Sequence, residues 1–253
     1  MPTLFVENVK IEYRQTGQGR DVLFLHGWGQ NLAMMDPLYQ HYADRFRVTN
    51  LDFPGFGASS LPEVAWGVEE YTRCLEDFCR QCNIVEPILV AHSFGARIAI
   101  LFASRNKVRK MILTGAAGIK PKRGFDYYAK VTTYKLMKQI FRLPFLKPYQ
   151  ESMRKHFGSS DYKSASGILR NSFVKIVNQD LTSYLKSIAC PVLLIWGEKD
   201  DATPLWMAKV MEKEFPDAGL VVFENDDHFA YWNQSARFLR IMDTFVKEDE
   251  VKQ

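Results

Sequence analysis

Pro87-Ile-Leu-Val-Ala-His-Ser-Phe-Gly-Ala-Arg-Ile-Ala-Ile-Leu-Phe-Ala-Ser-Arg105 is the stretch whose reading decides the fold. Ile88 to Ala91 is a short apolar run and reads as a buried strand. Ile98, Leu101 and Phe102 follow at helical spacing and read as a helix packed on a sheet. Ser93 stands at the junction, with Ala91 two before it, Gly95 two after it, and then Ala96. A sharp strand-to-helix turn needs such small neighbours, because larger side chains would collide with the adjoining backbone. The turn would lift a serine hydroxyl clear of the sheet and set it at a helix N-terminus. There, amide N–H groups and the helix dipole favour developing negative charge. A serine that merely caps the helix satisfies the same fragment, so the rest of the chain must decide.

The chain has 253 residues, 47% of them hydrophobic, which suits one large α/β domain with room for an inserted subdomain. No apolar run reaches the length of a membrane span. The N-terminal Met1-Pro-Thr-Leu-Phe-Val-Glu-Asn8 lacks the basic and apolar regions of a signal peptide. Of the four cysteines, Cys74, Cys79 and Cys82 crowd one predicted helix and Cys190 stands apart. Cys79-Arg-Gln-Cys82 is a lone CxxC with no second pair or nearby histidine, so reduced thiols in a cytoplasmic protein are expected, and no metal. Charge is unevenly spread. From Gly118 to Ile188 there are 14 Lys/Arg against 4 Asp/Glu, whereas the rest of the chain carries 19 against 25.

Residues 3–15 alternate loosely, turn at Glu7-Asn8 and read as an antiparallel hairpin at a sheet edge. Val22-Leu-Phe-Leu25 is a buried strand that ends in His26-Gly27-Trp28-Gly29. Leu32 to Ala43 predicts a helix with Met34, Met35, Leu38 and Tyr42 inward. The strand Phe46–Leu51 runs into Asp52-Phe-Pro-Gly-Phe-Gly-Ala-Ser59, whose proline and two glycines make a turn. Val68, Tyr71, Leu75, Phe78 and Cys82 mark one face of the next helix, and Met111–Thr114 is the strand after the Ser93 helix. The pattern then breaks. Residues 118–187 hold helical stretches, prolines and many apolar groups, among them Tyr127, Tyr128, Tyr134, Phe141 and Phe145, without a convincing buried strand. A helical cap, 118–187, inserted into a core made of 1–117 and 188–253, accounts for this. Regular structure resumes with the strand Cys190–Trp196, the helix Leu205–Phe215, the strand Gly219–Phe223 and a closing helix from about Asn233 to Lys247.

Three candidate groups fall at the C-terminal ends of predicted parallel strands, the edge at which open α/β sheets bind ligands. They are Ser93, the acidic cluster Glu198–Asp201, and His228. A serine hydroxyl needs a neutral imidazole within reach to take its proton. Of five histidines, His41 and His156 lie in helical or cap segments, and His92 should point away from Ser93. His26 reads as a loop-holding residue, which leaves His228 as the base. A carboxylate is then needed to fix the imidazole tautomer.

HGWG at 26–29, DFPGFGAS at 52–59, AHSFG at 91–95, GEKD at 197–200 and the late His228 together resemble the capped α/β-hydrolase superfamily over essentially the whole chain. Ala91 departs from the usual first glycine of the nucleophile elbow, but remains small. The resemblance implies an α/β-hydrolase fold, a mostly parallel eight-stranded sheet flanked by helices. It implies a Ser93, Asp200, His228 triad, with Asp201 the second choice for the acid and Asp226 and Asp227 shaping the loop. It places the oxyanion-hole donors at the Trp28 and Phe94 backbone N–H groups. The implied reaction is hydrolysis of a carboxylic ester through an acyl-enzyme, without a cofactor. Trp28 after His-Gly resembles carboxylesterases of the pimeloyl-carrier-protein methyl ester type. Carbon–carbon bond hydrolysis of meta-cleavage products, and a non-catalytic ligand-binding role, are the alternatives. The expected partner is a small-molecule ester, with no nucleic acid. A basic cap would suit an acidic acyl carrier or a coenzyme A thioester; lysines and arginines on solvated helix faces would give the same charge count.

Overall fold

The computed structural model describes residues 3–121, 132–133 and 160–250. Eight strands form one sheet: β1 (Thr3–Val6), β2 (Val9–Thr16), β3 (Asp21–Leu25), β4 (Arg47–Leu51), β5 (Ile88–His92), β6 (Lys110–Thr114), β7 (Val192–Gly197) and β8 (Ala218–Phe223). Their order is β1-β2-β4-β3-β5-β6-β7-β8. β2 pairs antiparallel with both β1 and β4, and every other pairing is parallel. The β1–β2 hairpin turns on Glu7 and Asn8, both in the left-handed region at φ 47° and 65°. That pair matches the right-handed twist of the flanking strands.

The middle stretches of β3, β5, β6 and β7 are apolar because both faces of the sheet are covered there. On β5, Leu89 and Ala91 face one core and Ile88 and Val90 the other; on β3, Leu23 and Leu25 oppose Val22 and Phe24. Helices α2 (Val68–Gln81) and α3 (Phe94–Ala103) cover the first face, with Tyr71, Leu75, Phe78, Ile98 and Leu101 buried in it. Helix α1 (Asp36–Tyr42) and the closing helix Ser235–Val246 cover the second, through Leu38, Tyr42, Phe238 and Met242.

One predicted helix is divided. Leu32–Met35 is a 3₁₀ turn in which the Asn31 side chain accepts the Ala33 N–H, and α1 starts afresh at Asp36-Pro37. The closing helix runs Ser235–Val246, close to its predicted span, and a short helical turn, Ala230–Asn233, precedes it and ends at Gln234 (φ −117°, ψ 47°). The Asn233 and Gln234 side chains there bond the Asp226 carboxylate.

Between β6 and β7 the described residues form the helices Ser160–Ser164, Gly167–Asn178 and Thr182–Leu185, and among them no strand occurs. The aromatic residues Tyr127, Tyr128, Tyr134, Phe141 and Phe145, together with His156, Lys122 and Arg123, lie outside the described residues. Helix Gly167–Asn178 is docked on the core. Ser172 Oγ accepts the Trp66 N–H at 2.9 Å, Lys175 donates to the Ala65 carbonyl at 2.6 Å, and Ile176 is buried. The Leu181 N–H bonds the Gly118 carbonyl at 2.9 Å, joining the chain ahead of Thr182–Leu185 to the segment that leaves β6. Arg97 of α3 is buried and donates to the Gln179 carbonyl at 2.9 Å. Its burial brings the guanidinium down to about 10. Among the described residues no helix is long and apolar enough to cross a membrane.

Candidate active site

β5 delivers Ser93 to the edge of the sheet in a strained conformation, φ 49° and ψ −109°. L-residues seldom adopt such angles, and they persist only where the surroundings over-determine them. Here the Ser93 N–H bonds the Thr114 carbonyl, and the Ser93 carbonyl accepts the Ala96 and Ala117 N–H groups. Helix α3 can start directly beneath β3 because residue 95 is glycine. A Cβ there would stand 2.4 Å from the Leu25 carbonyl oxygen, a backbone atom with no room to yield.

The Ser93 hydroxyl meets His228 Nε2 at 2.9 Å, and His228 Nδ1 meets Asp200 Oδ2 at 2.8 Å. The carboxylate accepts, so Nδ1 carries the proton and Nε2 presents its lone pair to the hydroxyl. Asp200 is 4% exposed, whereas its neighbour Asp201 is exposed. Glu198 turns aside to accept the Asn225 N–H. Gly115 (φ +49°) leaves the space the imidazole occupies, since a Cβ there would lie 2.9 Å from His228 Nδ1. The His228 loop is shaped by two acids. Asp226 accepts from its neighbour's N–H, Asn233 and Gln234, and Asp227 accepts the Phe229 N–H.

Trp28 lies in the loop after β3. Among the described residues its amide has no acceptor, and the Phe94 amide is the first of α3, where the helix offers none. The Phe94 amide, directly after the serine at a helix start, is free to meet a carbonyl oxygen that becomes negative. The Trp28 ring packs edge-on against Phe56 (4.9 Å) and Phe94 (5.4 Å), and Phe173 of helix Gly167–Asn178 adds a third ring at 5.2 Å.

The other described histidines have structural partners. His26 Nε2 accepts the Phe53 N–H at 3.0 Å, so its Nδ1 carries the proton and bonds the Gly27 carbonyl at 2.7 Å. It ties the HGWG loop to the 52–59 turn. Asp52 completes that turn by accepting the Leu32 and Ala58 N–H groups. His92 does not face the Ser93 hydroxyl. Its Nδ1 bonds the Thr114 carbonyl, and its ring lies 4.7 Å from the ring of His228, so it packs behind the base. His41 bonds Asp243 at the far side of the core. The cysteines are unbridged; burial pushes the Cys74 thiol up to about 12 and raises Cys79 too, which leaves both unreactive. Among the described residues no cluster of His, Cys, Asp or Glu could hold a metal.

Burial holds His26 down to about 4 and His92 well below the ordinary imidazole value, the latter helped by repulsion from His228. The unfolded chain therefore binds protons on these residues near pH 6.5, and the folded chain does not. Stability is fully present above that pH and is lost as pH falls toward 4, by roughly 2–3 kcal/mol for His26 alone. Thermal melts should show Tm falling across that interval. A His26→Asn variant should melt lower at pH 7 yet show a flatter dependence; an unchanged slope would assign the acid sensitivity elsewhere.

Sequence reasoning missed Thr203 and Phe173. Thr203 bonds Asp200 through both its amide and its hydroxyl. Nothing in a lone Thr-Pro signals that contact, and Phe173 belongs to a helix whose docking only the fold reveals.

A sequence profile described as the alpha/beta hydrolase fold matches residues 22–235. The chain belongs to the α/β-hydrolase-fold family. It is 23% identical over 261 residues to a pimeloyl-[acyl-carrier protein] methyl ester esterase of Aeromonas hydrophila, covering 94% of this chain and all of that one. Two solved structures share the fold. An esterase from Exiguobacterium antarcticum has a TM-score of 0.77 at 22% identity, covering 97% of this chain and 98% of that one. A meta-cleavage product hydrolase from Pseudomonas fluorescens has a TM-score of 0.71 at 21% identity, covering 98% of each. Hydrolase activity is the assignment at this level.

Proposed function

We propose that the protein is a serine carboxylesterase working through a Ser93–His228–Asp200 triad and an acyl-enzyme. The observation that carries this reading is the unbroken relay from Ser93 Oγ to His228 Nε2 at 2.9 Å and from His228 Nδ1 to Asp200 Oδ2 at 2.8 Å. His228 takes the hydroxyl proton as Ser93 Oγ attacks the ester carbonyl carbon. The Trp28 and Phe94 N–H groups receive the resulting oxyanion. His228 then gives the proton to the departing alkoxide, which leaves as an alcohol. A water, deprotonated by His228, attacks the acyl-enzyme and releases the acid and Ser93. Asp200 stays ionised and stabilises the imidazolium. No step needs a cofactor.

In this reading residues 118–187 form a cap over a core of 1–117 and 188–253. Phe173 and Trp28 supply an apolar wall for the acyl group. The relative named for a carrier-bound methyl ester, with the 14 to 4 excess of Lys/Arg in the insertion, supports an acidic acyl carrier or coenzyme A thioester as the donor. The test is turnover of a p-nitrophenyl ester series from acetate to octanoate, beside a coloured dienone of the meta-cleavage type. Ester hydrolysis with the dienone untouched is expected; dienone bleaching with inert esters would favour carbon–carbon hydrolysis by the same residues. For the carrier, Lys120→Glu should lower kcat/KM toward a carrier-bound methyl ester at low salt and leave p-nitrophenyl acetate unaffected.

A further inference from the structure

We propose that Thr203 is a positioning residue of the site, its hydroxyl donating to the same Asp200 oxygen that holds the His228 ring and so limiting how tightly that carboxylate grips the imidazolium. The inference rests on the triad reading above.

Asp200 Oδ2 accepts from Thr203 Oγ1 at 2.8 Å and from His228 Nδ1 at 2.8 Å, while Oδ1 accepts the Thr203 N–H at 2.8 Å. Thr203 Oγ1 also lies 3.4 Å from His228 Nδ1. That nitrogen already spends its single proton on the carboxylate, and the hydroxyl has one hydrogen of its own. Both donors therefore converge on Oδ2. Thr203 is held to this task. It is 6% exposed, its carbonyl accepts the indole N–H of the fully buried Trp196 at 2.6 Å, and its β-branch restricts χ1. A carboxylate that shares its charge among more donors attracts any one of them less. With the hydroxyl present, the imidazolium is released to neutral base more readily; without it, protonated His228 persists to higher pH.

Among the described residues, the polar and titratable groups facing His228 are few. Ser93 is on its Nε2 side, Asp200 and Thr203 on its Nδ1 side, and His92 on β5 stands 4.7 Å away. Asp161, from helix Ser160–Ser164, acts on it electrostatically. His92 is buried neutral and does not titrate in the relevant range. Removing the Asp161 charge would make the imidazolium less stable, a shift opposite in sign to the one expected at Thr203.

Thr203→Val keeps the shape and removes the hydroxyl. The acidic limb of its kcat/KM profile should move up by about half to one pH unit, with activity near wild type at pH 9. Thr203→Ser restores the donor and should return the limb. If Thr203→Val does not fold, Thr203→Ala deletes the same hydroxyl without adding a methyl group. A uniform loss at every pH with the limb unmoved would make Thr203 a packing residue only and overturn the proposal. Ser93→Ala separates the two readings. If it abolishes hydrolysis while the limb stays fixed, only the Thr203 inference fails; if Ser93→Ala retains full activity, the triad reading itself fails.

Discussion

Ser93→Ala should lower kcat/KM toward p-nitrophenyl esters by about 10⁵–10⁶-fold while leaving the thermal midpoint within about 2 °C of wild type. The chemical argument is direct. Without Oγ there is no atom to form the acyl-enzyme, and His228 Nε2 loses the one hydroxyl whose proton it takes. The residual rate would come from the Trp28 and Phe94 amides, which still polarise a bound carbonyl toward attack by water. The stability argument is separate. Alanine at φ 49° bears the same Cβ strain as serine, and the backbone bonds that hold the turn, to Thr114, Ala96 and Ala117, involve no side-chain atom. The elbow should therefore survive. Steady-state kinetics and a melt on one preparation decide it. Equal rates for the two proteins would mean that hydrolysis arises at another site.

The distinction between what could and could not be read in the sequence follows from the range of the interactions. Val22–Leu25, Ile88–Ala91 and Met111–Leu113 are apolar without a break, and only a strand covered on both faces asks for that. The small residues around Ser93 are a local demand of the turn, and so are legible at a distance of two or three positions. His228 was reachable because histidines are few and only one follows the last strand. Asp200 against Asp201 was a narrower matter that the resemblance decided, and burial separates the two. The Thr203 hydroxyl depends on the turn from Gly197 to Pro204 bringing residue 203 back onto residue 200, a geometry that no periodicity encodes. The short turn Ala230–Asn233 ahead of the closing helix was out of reach for a similar reason. The Asn233 and Gln234 side chains at its end bond the Asp226 carboxylate seven and eight residues back, a contact that the spacing of apolar residues does not mark. The ring of His92 against that of His228 is likewise a contact between residues far apart in sequence.

Asp200→Asn and Asp201→Asn should differ by about 10⁴-fold in kcat at neutral pH, although the substitutions are identical and adjacent. In Asp200→Asn the oxygen of the new side-chain amide has a fixed partner, because the Thr203 N–H now donating to Oδ1 at 2.8 Å cannot rotate away. The amide nitrogen must then replace Oδ2 and face His228 Nδ1. Two N–H groups would confront each other there. The imidazole relieves the conflict by moving its proton to Nε2, which turns the atom facing Ser93 from acceptor to donor. The relay is then reversed with every heavy atom near its original place, and the imidazolium also loses its counter-charge. Asp201 is exposed, and its substitution should change kcat by less than about twofold, as surface positions away from a site generally allow. Kinetics of both variants, each with a melting curve to show it is folded, test the assignment. Comparable losses in the two, or a larger loss in Asp201→Asn, would take the acid away from residue 200. A nearly unimpaired Asp200→Asn would mean that His228 works without a carboxylate to orient it.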